Sequence, residues 1–179
     1  MDFKLTQEQL MIKQMTAKFA IEELLPGVID RDINKKWPKE QVSKMADLGL
    51  LGIMVEEKWG GNNMDTISYV LAMEEIAKVD ASASVVMSVN NSLVCSIFQK
   101  YGNDEQKKKY LIQLAKGEKL GCFSLSEPQS GSDASNMKTY ATKNGNDYVI
   151  NGTKNWVTSG INSDIIMLFC ITEKGVGYK

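Results

Sequence analysis

Cys122-Phe123-Ser124-Leu125-Ser126-Glu127-Pro128-Gln129-Ser130-Gly131-Ser132-Asp133 is the stretch on which the fold turns. A short apolar run, Leu120 to Leu125, leads into a loop rich in Pro, Gly and Ser, the pattern of a strand leaving a sheet. Upstream of Gly117 the apolar residues recur at helical spacing; downstream they come in short runs between turn clusters. The period change predicts an α+β chain, with an all-helical bundle domain over residues 1–118 and a β domain over 119–179.

The helical part has readable boundaries. Thr6 with Gln9 three residues on is a capping-box pattern ahead of the apolar stripe Met11, Met15, Phe19 and Leu24. Pro26-Gly27 interrupts that stripe. Pro38 suits the first turn of a second helix carrying Val42, Met45 and Leu48, and Gly49 and Gly52 flank its end. A loop with Trp59-Gly60-Gly61-Asn62-Asn63 precedes a helical pattern over 66–79. Asp80 is the expected N-cap of a helix over 81–100 that is apolar on most sides, hence expected in the middle of the bundle. Asn103 is the expected cap of a last helix over 104–116, stopped by Gly117, whose Lys107-Lys108-Lys109 run reads as a solvated face.

In the β part, Asn144-Gly145-Asn146-Asp147 is a turn cluster and Tyr148-Val149-Ile150 a strand. Asn151-Gly152 reads as a hairpin signal, with β character continuing through Asn155-Trp156-Val157-Thr158. Ile165 to Ile171 reads as one unbroken apolar strand. These few strands predict an incomplete, antiparallel, barrel-like β domain with open edges, a domain cut short at Lys179.

Composition narrows the chemistry. The 179 residues hold 21 basic and 22 acidic side chains, a net charge of -1, which gives no sign of a nucleic-acid partner. There is no histidine, which excludes a Ser/His/Asp triad, an HExxH zinc site and a His general base. Cys95, Cys122 and Cys170 lack CxxC spacing and read as small buried hydrophobes in a reducing cytosol. Residues 1–16 are too polar for a signal-peptide core, and no run reaches the roughly 18 consecutive apolar residues of a membrane span. The expectation is a cytoplasmic protein without a membrane partner.

Two segments carry candidate chemistry. In the quoted loop, Ser126, Ser130 and Ser132 supply hydroxyls and Gly131 lets backbone amides approach a ligand. A turn using its own Asp and Ser hydrogen bonds has the same composition. In Asn155-Trp156-Val157-Thr158-Ser159-Gly160, a Trp beside a Thr hydroxyl suits an aromatic ring system, and it equally suits a core Trp.

Together the two segments resemble the acyl-CoA dehydrogenase family. Ser124-Leu125-Ser126-Glu127 followed by Gly131-Ser132-Asp133 is similar to the family's first pattern, with Ser124 where Ala, Gly or Cys is usual. Residues 148–160 are similar to its next block, and Leu48-Gly49-Leu50-Leu51-Gly52-Ile53 and Trp59-Gly60-Gly61 to its helical domain. The wording is nearest to short-chain, butyryl-CoA-type members.

The resemblance implies a helical domain, a middle β domain and a C-terminal four-helix domain, with FAD between the last two. It implies that Phe123, Leu125 and Ser126 line the flavin, that Ser132 stands near its diphosphate and the acyl-CoA chain, and that Trp156 and Thr158 pack on and hydrogen-bond the isoalloxazine. Glu127 and Asp133 read as loop organisers. The family's chemistry removes an α proton and a β hydride from an acyl-CoA thioester. FAD takes the hydride and an electron-transfer flavoprotein reoxidises it. The family base is a Glu of the C-terminal domain, so no residue of this chain receives that role. The chain alone is expected to be inactive, with weak or absent FAD binding, and the homotetramer common in the family is not assured for it. Two alternatives stay open: a non-catalytic helical module that binds acyl-CoA or a protein, and another flavoenzyme on the same scaffold, such as an acyl-CoA oxidase.

Overall fold

The computed structural model describes residues 4–173. The chain divides into two compact units between Leu120 and Gly121.

In the first unit, α1 (Gln7–Phe19) begins at a Thr6/Gln9 capping box and runs on through a π-helical turn, Ala20–Leu24. Gly27, at φ 77°, stops it and starts α2 (Val28–Ile33). Pro38 is the N-cap of α3 (Lys39–Asp47), which buries Val42 and Met45. Asp65 caps α4 (Thr66–Ala77) through the Ser68 amide, and Asp80 caps α5 (Ala81–Tyr101) through the Ala83 amide. The last helix, α6, covers residues 104–115 and starts at an Asn103/Gln106 capping box.

Ile12, Phe19, Leu24, Met45, Leu50, Leu51, Ile53, Ile76 and Met87 belong to one contiguous buried core. Burial of that apolar surface is the main term holding the unit together.

Helix α5 departs from its expected place inside the bundle. It buries Ala83, Val86, Met87 and Val94 on one side and exposes Val85 and Leu93 on the other. By length and composition it could cross a membrane, yet half of that stretch is buried inside the protein. Its midpoint is a π-helical turn, Val89–Cys95, where two buried amides leave the helix to bind the 50–53 loop. Asn91 accepts from the Ile53 amide at 3.0 Å and donates to the Leu50 carbonyl at 2.8 Å; Asn90 donates to the Leu51 and Leu114 carbonyls. The Lys107–Lys109 run is solvated at Lys108 and Lys109, while Lys107 lies 5.8 Å from the centre of the Trp59 ring.

The second unit is the expected small, incomplete β domain, with two small sheets and no closed barrel among the described residues; one of its pairings is parallel rather than antiparallel. Strand β1 (Gly121–Ser124) pairs in parallel with β4 (Ile165–Leu168), Gly121 opposite Ile165. The long crossover between them contains the antiparallel hairpin β2 (Tyr140–Asn144) and β3 (Asp147–Asn151), and a crossover of that length is what lets strands run parallel.

The hairpin turn is at Gly145-Asn146, with Gly145 at φ 62°. Asn151-Gly152, expected as a hairpin signal, is instead a close approach: a Cβ on Gly152 would lie 2.3 Å from Thr139 Oγ1. The apolar run 165–171 is not one strand. It pairs with β1 as far as Leu168, and then Ile171 crosses to β2, with its amide on Thr139 O at 2.8 Å and its carbonyl on the Ala141 amide at 2.9 Å. Cys95 and Cys122 are buried, Cys170 half-buried, and all three are free thiols. Burial pushes the Cys95 thiol up to about 12, so it stays protonated.

Candidate functional site

The site is built from the loop after β1 and the segment after β3. Ser130 closes the first loop on itself: its amide and carbonyl pair with those of Glu127 around Pro128-Gln129, and its hydroxyl donates to Asp133 O at 2.8 Å. That hydroxyl is spent internally. Beyond it the loop opens: Ser132 is exposed, and a Cβ on Gly131 would meet nothing within 4 Å.

Glu127 is the polar centre. Its carboxylate is almost fully buried, yet it accepts from Lys154 Nζ at 2.8 Å, the Thr139 amide at 2.9 Å, the Lys138 amide at 2.6 Å and Gln129 Nε2 at 2.5 Å. Burial alone pushes this carboxyl up. The hydrogen bonds from Lys154, Thr139 and the Lys138 amide outweigh it and hold the carboxyl far below the usual carboxylate range. A carboxylate whose oxygens are taken by four donors is poorly suited to accept a substrate proton. Lys154 Nζ also donates to Leu125 O at 2.8 Å, and the Asn155 amide donates to Ser126 O at 2.8 Å. These bonds bring the two candidate segments side by side.

Trp156 follows directly, and it is neither on a strand nor in the core. Its backbone sits at φ 59° and the residue is 91% exposed. A bulky residue rarely occupies the left-handed region, where Cβ crowds the following carbonyl. The segment cannot continue as a strand with that backbone, and it turns at Ser159, φ 64°. Such an observed outlier, in a fully presented aromatic, points to function. Thr158 and Ser126 are half-buried, and so is Leu125. Phe123, also half-buried, rests on Phe169 with ring centres 5.0 Å apart. The structure thus joins Ser126 and the Trp156 segment through one backbone bond. Phe123 stands on β1 and Ser132 farther along the open loop.

Lys154 escaped the sequence reading. The available signal was charge: it is the single Lys or Arg between Lys143 and Lys174, in a segment that faces a loop containing Glu127. Among the described residues no cluster of His, Cys, Asp and Glu could hold a metal ion.

The helical unit and the β unit correspond to two domains of the acyl-CoA dehydrogenases. Residues 6–118 match the family model for the acyl-CoA dehydrogenase N-terminal domain, and residues 122–179 the one for the middle domain. The chain belongs to the acyl-CoA dehydrogenase family. It is 40% identical over all its 179 residues to the short-chain specific acyl-CoA dehydrogenase of Clostridium acetobutylicum, covering 47% of that protein. Among solved structures it is similar to butyryl-CoA dehydrogenase from Megasphaera elsdenii, with a TM-score of 0.94 and 40% identity over 99% of this chain and 47% of that one. It is also similar to a glutaryl-CoA dehydrogenase from Mycobacterium smegmatis in complex with FADH2, with a TM-score of 0.90 and 33% identity over 96% of this chain and 44% of that one. The chain spans about half the length of these relatives.

Proposed function

We propose that this chain is part of an FAD-dependent acyl-CoA dehydrogenase acting on short-chain thioesters in the cytoplasm, and that its β unit supplies one face of the flavin site. The observation that carries the reading is Trp156, presented to solvent at positive φ and held beside Ser126. An exposed, backbone-fixed indole is a platform for a planar ring system.

The residues fit a flavin. Trp156 would pack against the isoalloxazine, Thr158 and Ser126 would offer it hydroxyls, Phe123 and Leu125 would line it with apolar surface, and Ser132 would stand toward the diphosphate and the acyl chain. When bound, FAD supplies the two-electron acceptor for the hydride leaving the substrate β carbon, with an electron-transfer flavoprotein as its oxidant. The chain's own contribution is orientation and exclusion of water from one side of that ring. The α proton goes to a base outside this chain. Glu127, saturated by its four donors, is not that base. By itself the chain holds flavin weakly and does not turn over.

The test is a chimera in which this chain replaces the matching half of the Clostridium acetobutylicum relative. It should retain flavin absorbance through gel filtration and be bleached by butyryl-CoA, whereas the 179-residue chain alone should lose added FAD on the same column. A folded chimera without flavin contradicts the reading. Calorimetry with butyryl-CoA on the chain alone separates it from the alternative of a helical binding module: tight binding without flavin favours the module.

A further inference from the structure

We propose that Lys154 is a positioning residue: by joining the Glu127 carboxylate to the Leu125 carbonyl, it fixes the Trp156 segment against the Ser126 segment and so sets where the Trp156 ring stands. Its functional meaning rests on the flavin-face reading above; the clamp itself is tested without flavin.

Packing cannot hold Trp156 in place, because the residue is 91% exposed. Its left-handed backbone, φ 59°, is unfavourable for a bulky residue and persists only where the surroundings enforce it. The enforcing contacts lie just before it. Gly152 passes so close to Thr139 that no side chain fits between them. Lys154 reaches Glu127 and Leu125, both at 2.8 Å, and the Asn155 amide reaches Ser126 O at 2.8 Å.

All of these contacts converge on Glu127. Thr139 gives its amide to that carboxylate, Leu125 and Ser126 are its chain neighbours, and Lys154 is its one charged partner. The Lys154 side chain is 8% exposed and the Glu127 side chain 2%. A buried ammonium and a buried carboxylate each require the other, because either left alone carries an uncompensated charge out of water. Such a pair specifies one register between the segments it joins. Here it locks residues 152–155 to residues 125–127, and the next residue along is the exposed indole.

Fluorine NMR of the chain labelled with 5-fluorotryptophan tests this, because Trp37 and Trp59 are internal controls in the helical unit. In Lys154→Met the Trp156 resonance should shift or broaden while those of Trp37 and Trp59 stay put. Exchange of the Asn155 amide should accelerate about tenfold or more, with the Phe169 amide, bonded to Ser124 O, within about twofold of wild type. Glu127→Gln keeps the shape and removes the charge, and it should move the same signals. The proposal is overturned if Lys154→Met leaves the Trp156 resonance and Asn155 exchange unchanged. It is also overturned if both variants expose Phe169 as much as Asn155, which would make the pair a general support of the unit. Failure of the flavin reading would show separately, as a wild-type chimera without flavin, and would leave these exchange results unaltered.

Discussion

The two units of this chain are held by opposite means. The helical unit buries a contiguous apolar core whose larger members, such as Met45, Ile53 and Ile76, have no exposed surface. In the β unit, strand β3 is exposed along its whole length, and the two candidate loops meet through one backbone bond, a bond from Lys154 to the Leu125 carbonyl and one buried ion pair. Apolar packing tolerates small shifts and is read out as stability. A buried carboxylate with four directed donors specifies geometry while adding little net stability. Precision resides in the second unit: the first provides bulk, the second an aimed surface around Trp156.

Substitutions can break this contrast from either side. The largest effect belongs to the core. Ile76→Ala should lower the stability of the helical unit by about 2–5 kcal/mol in urea unfolding followed by far-UV circular dichroism, because it removes transfer energy and leaves a cavity. The Trp156 fluorine resonance should not move in that variant.

Acid should also act on the β unit. The Glu127 carboxyl is held below its ordinary value of 4.5, so the stability it contributes is present above that value and is lost as pH falls toward the depressed one. Lys154 is the charged group facing it. Protection of the Thr139 and Asn155 amides, corrected for intrinsic exchange, should therefore fall between pH 5 and the acid limit, an order-of-magnitude window set by linkage. Glu127→Gln should flatten that dependence.

Smaller effects sharpen the comparison within the helices. Asn103→Ala removes the acceptor for the Gln106 amide at the start of α6 and should cost about 1 kcal/mol in the same urea experiment. Lys44→Ala, which breaks exposed pairs with Glu23 and Glu40, should leave the midpoint unchanged, since such pairs are screened by water.

The helical unit was largely legible because its signals are local. Thr6, Asp80 and Asn103 cap helices through amides three residues away, so the sequence contains both partners within one turn. The one-sided burial of α5 was not legible, since Val85 and Val86 have the same chemistry and differ only in what packs on them. In the β unit the strands were visible and their pairing was not: nothing in Cys122 or Ile166 says that they lie opposite one another in parallel.

At the site, the chemistry of Ser126, Trp156 and Thr158 was suggested by residue type and family pattern. The left-handed backbone of Trp156 depends on contacts with Leu125, Ser126 and Glu127, nearly thirty residues away, which no local rule reaches. For the same reason nothing local singled out Lys154.

The central claim is that Trp156 presents the flavin face. The most direct measurement is the visible absorbance of the chimera after gel filtration, with Trp156 intact and with Trp156→Ala. A flavin band is expected with Trp156 and its loss with Ala, while the circular dichroism spectra of the two proteins coincide. Equal flavin content in both proteins would contradict it.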